Sequence, residues 1–313
     1  MVVWIAFILA IIVFLALDLG VFNKNPHIIS TKEASIWTSV WVGMSFLFSM
    51  VIYWLYSSGN IENPDALNAQ EATMKYITGY LIELSLSIDN IFVIAVIFTS
   101  FSIPQKYQHR VLFWGILGAI VFRALMIFFG VVLIKKFTFT TYIFGAFLIF
   151  TALKMLFAKE EKFNPKNSFV YKSLRKIMPV TTHMEGQKFF VKRKHITAAT
   201  PLFIALIVIE FTDILFALDS VPAILAITSD PFLVFSSNIF AILGLRSMYF
   251  FLANMLDKFS YLKYSLVAIL LFVGVKLILV HHYKFPEWLS LGFIAFALVT
   301  GILVSLSKKK NED

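Results

Sequence analysis

The chain contains no cysteine among its 313 residues. That excludes disulfides, thiolate metal ligands and redox-active thiols. Charge is almost as scarce, at 14% of residues, against about 25% in an ordinary globular domain. No GxxxxGK[ST] phosphate loop, no HExxH and no nucleophile elbow occurs, so neither an ATP site nor a familiar hydrolytic site is present, and the chain is not expected to be an enzyme. What fills the sequence instead is apolar: 59% of it is hydrophobic, with 35 Phe. That is about 185 apolar residues, enough for nine membrane-spanning helices of ~20 residues each.

Apolar runs fall near 1–22, 35–56, 74–99, 109–132, 138–157, 200–227, 232–253, 263–281 and 287–307. They lack the polar/apolar alternation of a barrel strand, and most are about twice its length, so helices must satisfy the backbone in lipid. The expected fold is an all-α polytopic membrane protein, a single transmembrane domain over 1–313. Its first run has no basic start and contains Asp18, so it reads as a retained span rather than a signal peptide. The loop 158–199 holds ten Lys and Arg and three acids. Positive residues collect on the cytoplasmic side, which places this loop and the C-terminus inside and the N-terminus outside. The loop is expected to lie against anionic lipid headgroups rather than nucleic acid, and the +9 net charge is mostly a topology signal.

The third span, GYLIELSLSIDNIFVIAVIFTS, is echoed by the sixth, IVIEFTDILFALDSVPAILAITS. Placing Glu83 on Asp213 also places Asp89 on Asp219 and Asn90 on Ser220. Downstream, Arg123 is eight residues after Gly115 and Arg246 is eight after Asn238; Lys154 and Lys276 close matching segments. Spans 3–5 (74–157) are thus expected to repeat as spans 6–8 (200–281). Because the unit has an odd number of helices, the copies must be inverted, which puts a substrate site between them near the midplane. Pro222 removes a helical hydrogen bond, so a break in the sixth span is expected there.

With Lys75, Arg110, Lys263 and Glu287 at the span edges counted with the loops, six acids fall within spans, Asp18, Glu83, Asp89, Glu210, Asp213 and Asp219, against four bases, Arg123, Lys154, Arg246 and Lys276. Each charge costs roughly 2.5–3.5 kcal/mol at a helix centre, so all ten need partners or water. The bases can serve as ion-pair staples or snorkel to the interface, but four cannot satisfy six carboxylates. At 100° per residue Glu83, Ser87 and Asn90 share one stripe, as do Asp213 and Ser220, with Glu210 nearby. Asp89 and Asp219 lie about 120° away and join only if the helix unwinds or a third helix passes alongside. Carboxylate, amide and hydroxyl oxygens form a hard donor set suited to Mn²⁺, Mg²⁺ or Ca²⁺. The candidate metal residues are Glu83, Asp89, Asn90, Glu210, Asp213, Asp219 and Ser220, with Asp18 and Ser87 as further points on an ion path.

The segments GYLIELSLSIDNIFV, IEFTDILFALDSVPAI and SNIFAILGLRSMYFFL resemble the TerC/Alx family of bacterial integral membrane proteins over nearly the whole chain. The resemblance implies manganese efflux across the inner membrane, with Mn²⁺ as cargo and no prosthetic group. Its acidic transmembrane residues fall here on Glu83, Asp89, Glu210, Asp213 and Asp219. A Ca²⁺ or other divalent cation/H⁺ exchanger, and a membrane partner for metal loading of exported proteins, are the alternatives. The sequence does not fix the oligomeric state.

Overall fold

The structure is a computed structural model that describes residues 2–17, 29–137, 139–157, 169–181, 184–193, 196–253, 262–283 and 285–309. In order these form α1 (Val2–Leu17), α2 (Thr31–Ser57), α3 (Ala69–Ser100), α4 (Gln105–Lys136), α5 (Phe139–Phe157), α6 (Phe169–Ile177), β1 (Phe190–Arg193), β2 (Ile196–Ala199), α7 (Pro201–Leu225), α8 (Pro231–Ala253), α9 (Leu262–Leu279) and α10 (Glu287–Lys309). Each of the nine apolar intervals holds a helix. Seven of these helices, α2–α5, α7, α8 and α10, are long and apolar enough to cross a membrane. Outward faces carry exposed Phe128, Phe129, Phe150 and Phe296, as expected where the surrounding solvent is lipid.

Local sequence explains where helices start. At α3 the Glu71 N–H donates to Asn68 Oδ1 (2.8 Å) and the Asn68 N–H donates to Glu71 Oε2 (3.2 Å), a reciprocal cap that satisfies two orphan donors. α7 begins with Pro201, whose fixed φ suits the first helical position. At α8, the buried Asp230 accepts from the amides of Phe232 (2.9 Å) and Leu233 (3.2 Å) and from Tyr56 Oη (2.7 Å), which ties the end of α2 to the α7–α8 turn. Burial pushes the Asp230 carboxyl above its ordinary range, while these three hydrogen bonds oppose that shift.

The expected break at Pro222 does not occur. α7 runs unbroken to Leu225. Pro222 stands in the last turn: it forgoes one bond, to the Leu218 carbonyl, but only three helical residues follow it, and its own carbonyl accepts from the capping Ala226 N–H (3.0 Å). α3 is likewise continuous through Asp89.

Packing follows a regular scheme. Along α3 and α7 the pairs Lys75–Ile227, Gly79–Ile224 and Asn90–Asp213 run in opposite senses, so these helices are antiparallel. α5 and α9 are antiparallel too, joined by Thr141–His281 (3.2 Å) at one end and by Gly145 against Gly274 deeper in. The glycines are needed there. A Cβ on Gly145 would come within 2.8 Å of the Gly274 carbonyl, and one on Gly274 within 2.9 Å of the Gly145 carbonyl. By contrast, α4 lies parallel to α7 (Gly115–Ile209, Gly118–Glu210, Gly130–Leu225) and α3 parallel to α8 (Gly79–Ser237, Glu83–Asn238, Phe98–Tyr249).

The described residues of the basic loop form a helix and a strand pair, which its composition did not signal. α6 packs on α7. β1 and β2 form an antiparallel pair, and Arg110 of α4 holds the preceding turn by donating to Gln187 Oε1 (3.2 Å) and lying over Phe189.

Candidate functional site

Intramembrane charge converges on Arg123, which lies mid-way along α4 and is 1% exposed. Its guanidinium pairs with Glu83 of α3 through Nη1. It also reaches Asp213 of α7, with Nη2 3.0 Å from Oδ1 and Nε 3.4 Å from Oδ2, and Nη1 donates to Ser220 Oγ at 3.4 Å. The planar fork of an arginine can serve two carboxylates from one side chain, which a lysine could not match. The two acids that align between the third and sixth spans therefore share one cation. Their balance is −1, in a place where Glu83 is fully buried.

Two amides complete the group. Asn238 of α8 donates to Glu83 Oε2 (3.1 Å), and Asn90 of α3 donates to Asp213 Oδ1 (3.4 Å). Since each amide nitrogen faces a carboxylate, which only accepts, each amide oxygen must point elsewhere. Asn90 Oδ1 and Asn238 Oδ1 are buried with no hydrogen-bond partner, and so are Ser87 Oγ and Glu210 Oε2. Buried oxygens without donors are costly, and each calls for a donor or a cation. Asn90 also borders two cavities. One, of about 250 Å³, is lined by Glu83, Arg123, Thr151, Lys154, Asp219 and Ser220 among others. The other, of about 30 Å³, adjoins Asp213, Thr212 and Gly115.

The remaining expected residues are dispersed. Asp219 accepts from Thr151 Oγ1 of α5 (3.0 Å) and lines the larger cavity together with Lys154. It is brought in by a neighbouring helix, without unwinding of its own. Glu210 rests against α4 at Gly118, where any Cβ would overlap its carboxylate. Arg246 is buried on α8 and lines neither cavity. Lys276 is buried and donates to Ser290 Oγ of α10 (2.9 Å). Asp18 and the side chain of Asp89 lie outside the described residues. Among the described residues, no three His, Cys, Asp or Glu side chains gather closely enough to hold a metal ion. The guanidinium of Arg123 occupies the space between Glu83 and Asp213 that such a cluster would need.

The family model for the integral membrane protein TerC family matches residues 68–313. The chain belongs to the TerC family. It is an integral multi-pass membrane protein, and relatives span its whole length. An uncharacterized membrane protein of Myxococcus xanthus, STKORF319, is 46% identical over 98% of this chain and 93% of its own. An uncharacterized membrane protein of Rickettsia bellii is 45% identical over 99% of both chains. A protein of Escherichia coli K12 named "putative membrane-bound redox modulator Alx" is 41% identical over 96% of this chain and 93% of its own. No solved structure matches.

Three residues of this TerC protein's site were missed by sequence reasoning: Asn238, Thr151 and Gly118. Asn238 could have been found, because it aligns with Gly115 in the repeat; a buried amide replaces a glycine at equivalent positions. The small cavity sits on the glycine side. Thr151 and Gly118 carry no signal of their own, since a lone hydroxyl or glycine in an apolar helix is ordinary.

Proposed function

We propose that this TerC protein is a secondary transporter that carries a hard divalent cation, Mn²⁺ as first choice, across a bacterial inner membrane. The observation that carries the reading is the set of donor-less buried oxygens, Asn90 Oδ1, Asn238 Oδ1 and Ser87 Oγ, beside Glu83 and Asp213. Carboxylate, amide and hydroxyl oxygens together suit a hard cation. Resemblance to TerC/Alx sequences, rather than this donor set, selects Mn²⁺ over Ca²⁺ and Mg²⁺.

Arg123 then has a specific part in the cycle. It is a tethered counter-cation shared by Glu83 and Asp213 when no metal is between them, leaving one negative charge. Cargo must displace it, and the cavity of about 250 Å³ beside it gives the guanidinium somewhere to go. Asp219 and Thr151 line that cavity as the next stop for a cation, and Glu210 is a carboxylate available to carry a proton in exchange.

The packing supports an inverted repeat as the frame for this movement. α3 is antiparallel to α7 and α5 to α9, while α3–α8 and α4–α7 are parallel, the pattern expected when α3–α5 and α7–α9 exchange by a two-fold axis in the membrane plane. In this reading all nine apolar helices span the membrane, with the N-terminus outside and the C-terminus in the cytoplasm. A thiol-based redox role, which the Alx name brings to mind, is closed to a chain without cysteine.

The decisive experiment is metal flux in proteoliposomes, comparing Mn²⁺, Ca²⁺ and Mg²⁺ with and without a pH gradient. Expected is Mn²⁺ movement that responds to the gradient and is lost in Asp219→Asn. Absence of flux for all three ions in correctly inserted protein would overturn the reading, and a role as a membrane partner for metal loading would replace it.

A further inference from the structure

At the end of the bundle that carries the basic loop, a cavity of about 340 Å³ opens between α6, the last turn of α3 and the first turn of α7. Its lining is chemically distinct from that of the intramembrane cavities. Ser100, Ser102 and Thr181 contribute hydroxyls, and among the described residues Arg175 contributes the one charged side chain and no acid lines it. We propose that it is a binding site for the phosphate-bearing headgroup of an anionic lipid.

Four observations converge on that ligand. First, Arg175 is positioned. Its guanidinium lies 5.8 Å from the Tyr171 ring, and Tyr171 is itself packed against Phe101 at the end of α3 (5.6 Å). An arginine stacked on an aromatic ring keeps its fork of donors directed, and that fork matches a phosphate. Second, the start of α7 is electrostatically open. Thr200 holds the cap position, but its hydroxyl donates to the carbonyls of Lys188 (2.8 Å) and Phe189 (3.1 Å), so no side chain caps the first-turn amides. The positive end of a 25-residue helix therefore faces the cavity without a built-in counter-charge.

Third, Ser102 adopts φ 52, a left-handed conformation that a non-glycine residue enters only when its surroundings fix it. The three backbone bonds that close the end of α3, Phe101 N–H to Ile97, Ser102 N–H to Thr99 and Ile103 N–H to Phe98, give three last-turn carbonyls a donor and so blunt the negative end of α3 beside the cavity. Fourth, α6 is shaped for the membrane surface. Val170 and Tyr171 pack inward on the buried cluster at this end of the bundle. Phe169 and Ile177 are each 80% exposed, and Lys172 and Lys176 are exposed on the side opposite Val170 and Tyr171, with Arg175 at the flank beside the cavity. Apolar residues beside basic ones on a helix lying across the ends of spanning helices describe an interfacial helix, whose apolar tips enter the acyl boundary while its bases meet headgroups. Such a helix brings the cavity to headgroup level, which is why a lipid rather than a soluble phosphate is the occupant.

This inference does not depend on what the bundle transports. The test uses the full-length protein in phosphatidylcholine nanodiscs, with phosphatidylglycerol added to the bilayer in one arm and inorganic phosphate added to the solution in another. Retained lipid is counted by native mass spectrometry, and thermal stability is measured in parallel. Wild type is expected to retain phosphatidylglycerol in preference to phosphatidylcholine and to melt higher with it, and to ignore inorganic phosphate. Arg175→Gln should weaken that retention about fivefold, the effect of one basic residue near an anionic surface, whereas Lys192→Gln, on β1 and outside the lining, should leave it nearly unchanged. Thr181→Val, which alters the lining while keeping the backbone bond from Thr181 N–H to Ala199, should also weaken it and decides the matter if Arg175→Gln does not fold. Equal retention of the two lipids, an equal loss in the Arg175 and Lys192 variants, or stabilisation by inorganic phosphate matching that by lipid would each overturn the proposal.

Discussion

At the residue scale, the site turns on how one guanidinium is shared. Arg123 pairs with both Glu83 and Asp213, and removing one member of a buried ion pair costs about 3–5 kcal/mol because the remaining charge has no counter-ion. Arg123→Gln should therefore lower thermal stability sharply, and combining it with Glu83→Gln should recover part of the loss in a double-mutant cycle. If Arg123 stands in for the cargo, Mn²⁺ should raise the melting temperature of Arg123→Gln more than that of wild type. An equal rise would separate the arginine from metal binding. Asn238→Leu keeps the branched shape but deprives Glu83 Oε2 of its donor, and should cost about 1–3 kcal/mol by the same melting assay. Which residues bear charge inside the membrane was legible from scarcity alone, since ten charges in nine apolar runs have nowhere to go unnoticed. That Arg123 rather than Arg246 would serve both acids was not, because the repeat makes the two arginines equivalent in sequence and only packing distinguishes them.

At the element scale, helix contacts depend on small residues placed where two backbones meet. Gly145 and Gly274 let α5 and α9 approach until each would-be Cβ lies under 3 Å from the opposite carbonyl. Gly145→Ala or Gly274→Ala should force these helices apart and cost about 1–3 kcal/mol, read as a drop in melting temperature in detergent. Gly43→Ala on α2, with nothing within 4 Å, should be close to neutral, and a matching loss there would point to general helix sensitivity instead. Apolar length placed a helix in each run, seven of them long and apolar enough to cross a membrane, and the reciprocal Asn68–Glu71 cap is visible as a motif. The unbroken course of α7 through Pro222 was not predicted, because whether a proline bends a helix depends on the packing around it, and Pro222 is buried. Here the helix ends three residues later. The fold of the basic loop was also hidden, since α6 and the β1–β2 pair are short, and what holds them lies far away in sequence, as with Arg110 and Gln187.

At the scale of the whole molecule, orientation is the open quantity, and the missing cysteines make it measurable. Single cysteines can be introduced into a chain that has none. A cysteine replacing Lys192 should react with a membrane-impermeant reagent only after the cells are opened, and one replacing Glu62 should react in intact cells; the reverse pattern would invert the assigned topology. The sequence by itself determined membrane residence, helix content and where along the chain the apolar helices fall. Those properties are sums over composition and short windows, and lipid enforces them on any chain this apolar. It also marked Glu83 and Asp213 as counterparts. Only the tertiary structure decided that they meet on a single arginine, that Asp219 reaches the cavity by way of Thr151 on a neighbouring helix, and that four buried oxygens are left without donors. Those facts depend on which helix faces meet. In a bundle where nearly every face is apolar, hydrophobic pattern does not specify the facing partners; close approach at glycines and the pairing of rare charges do.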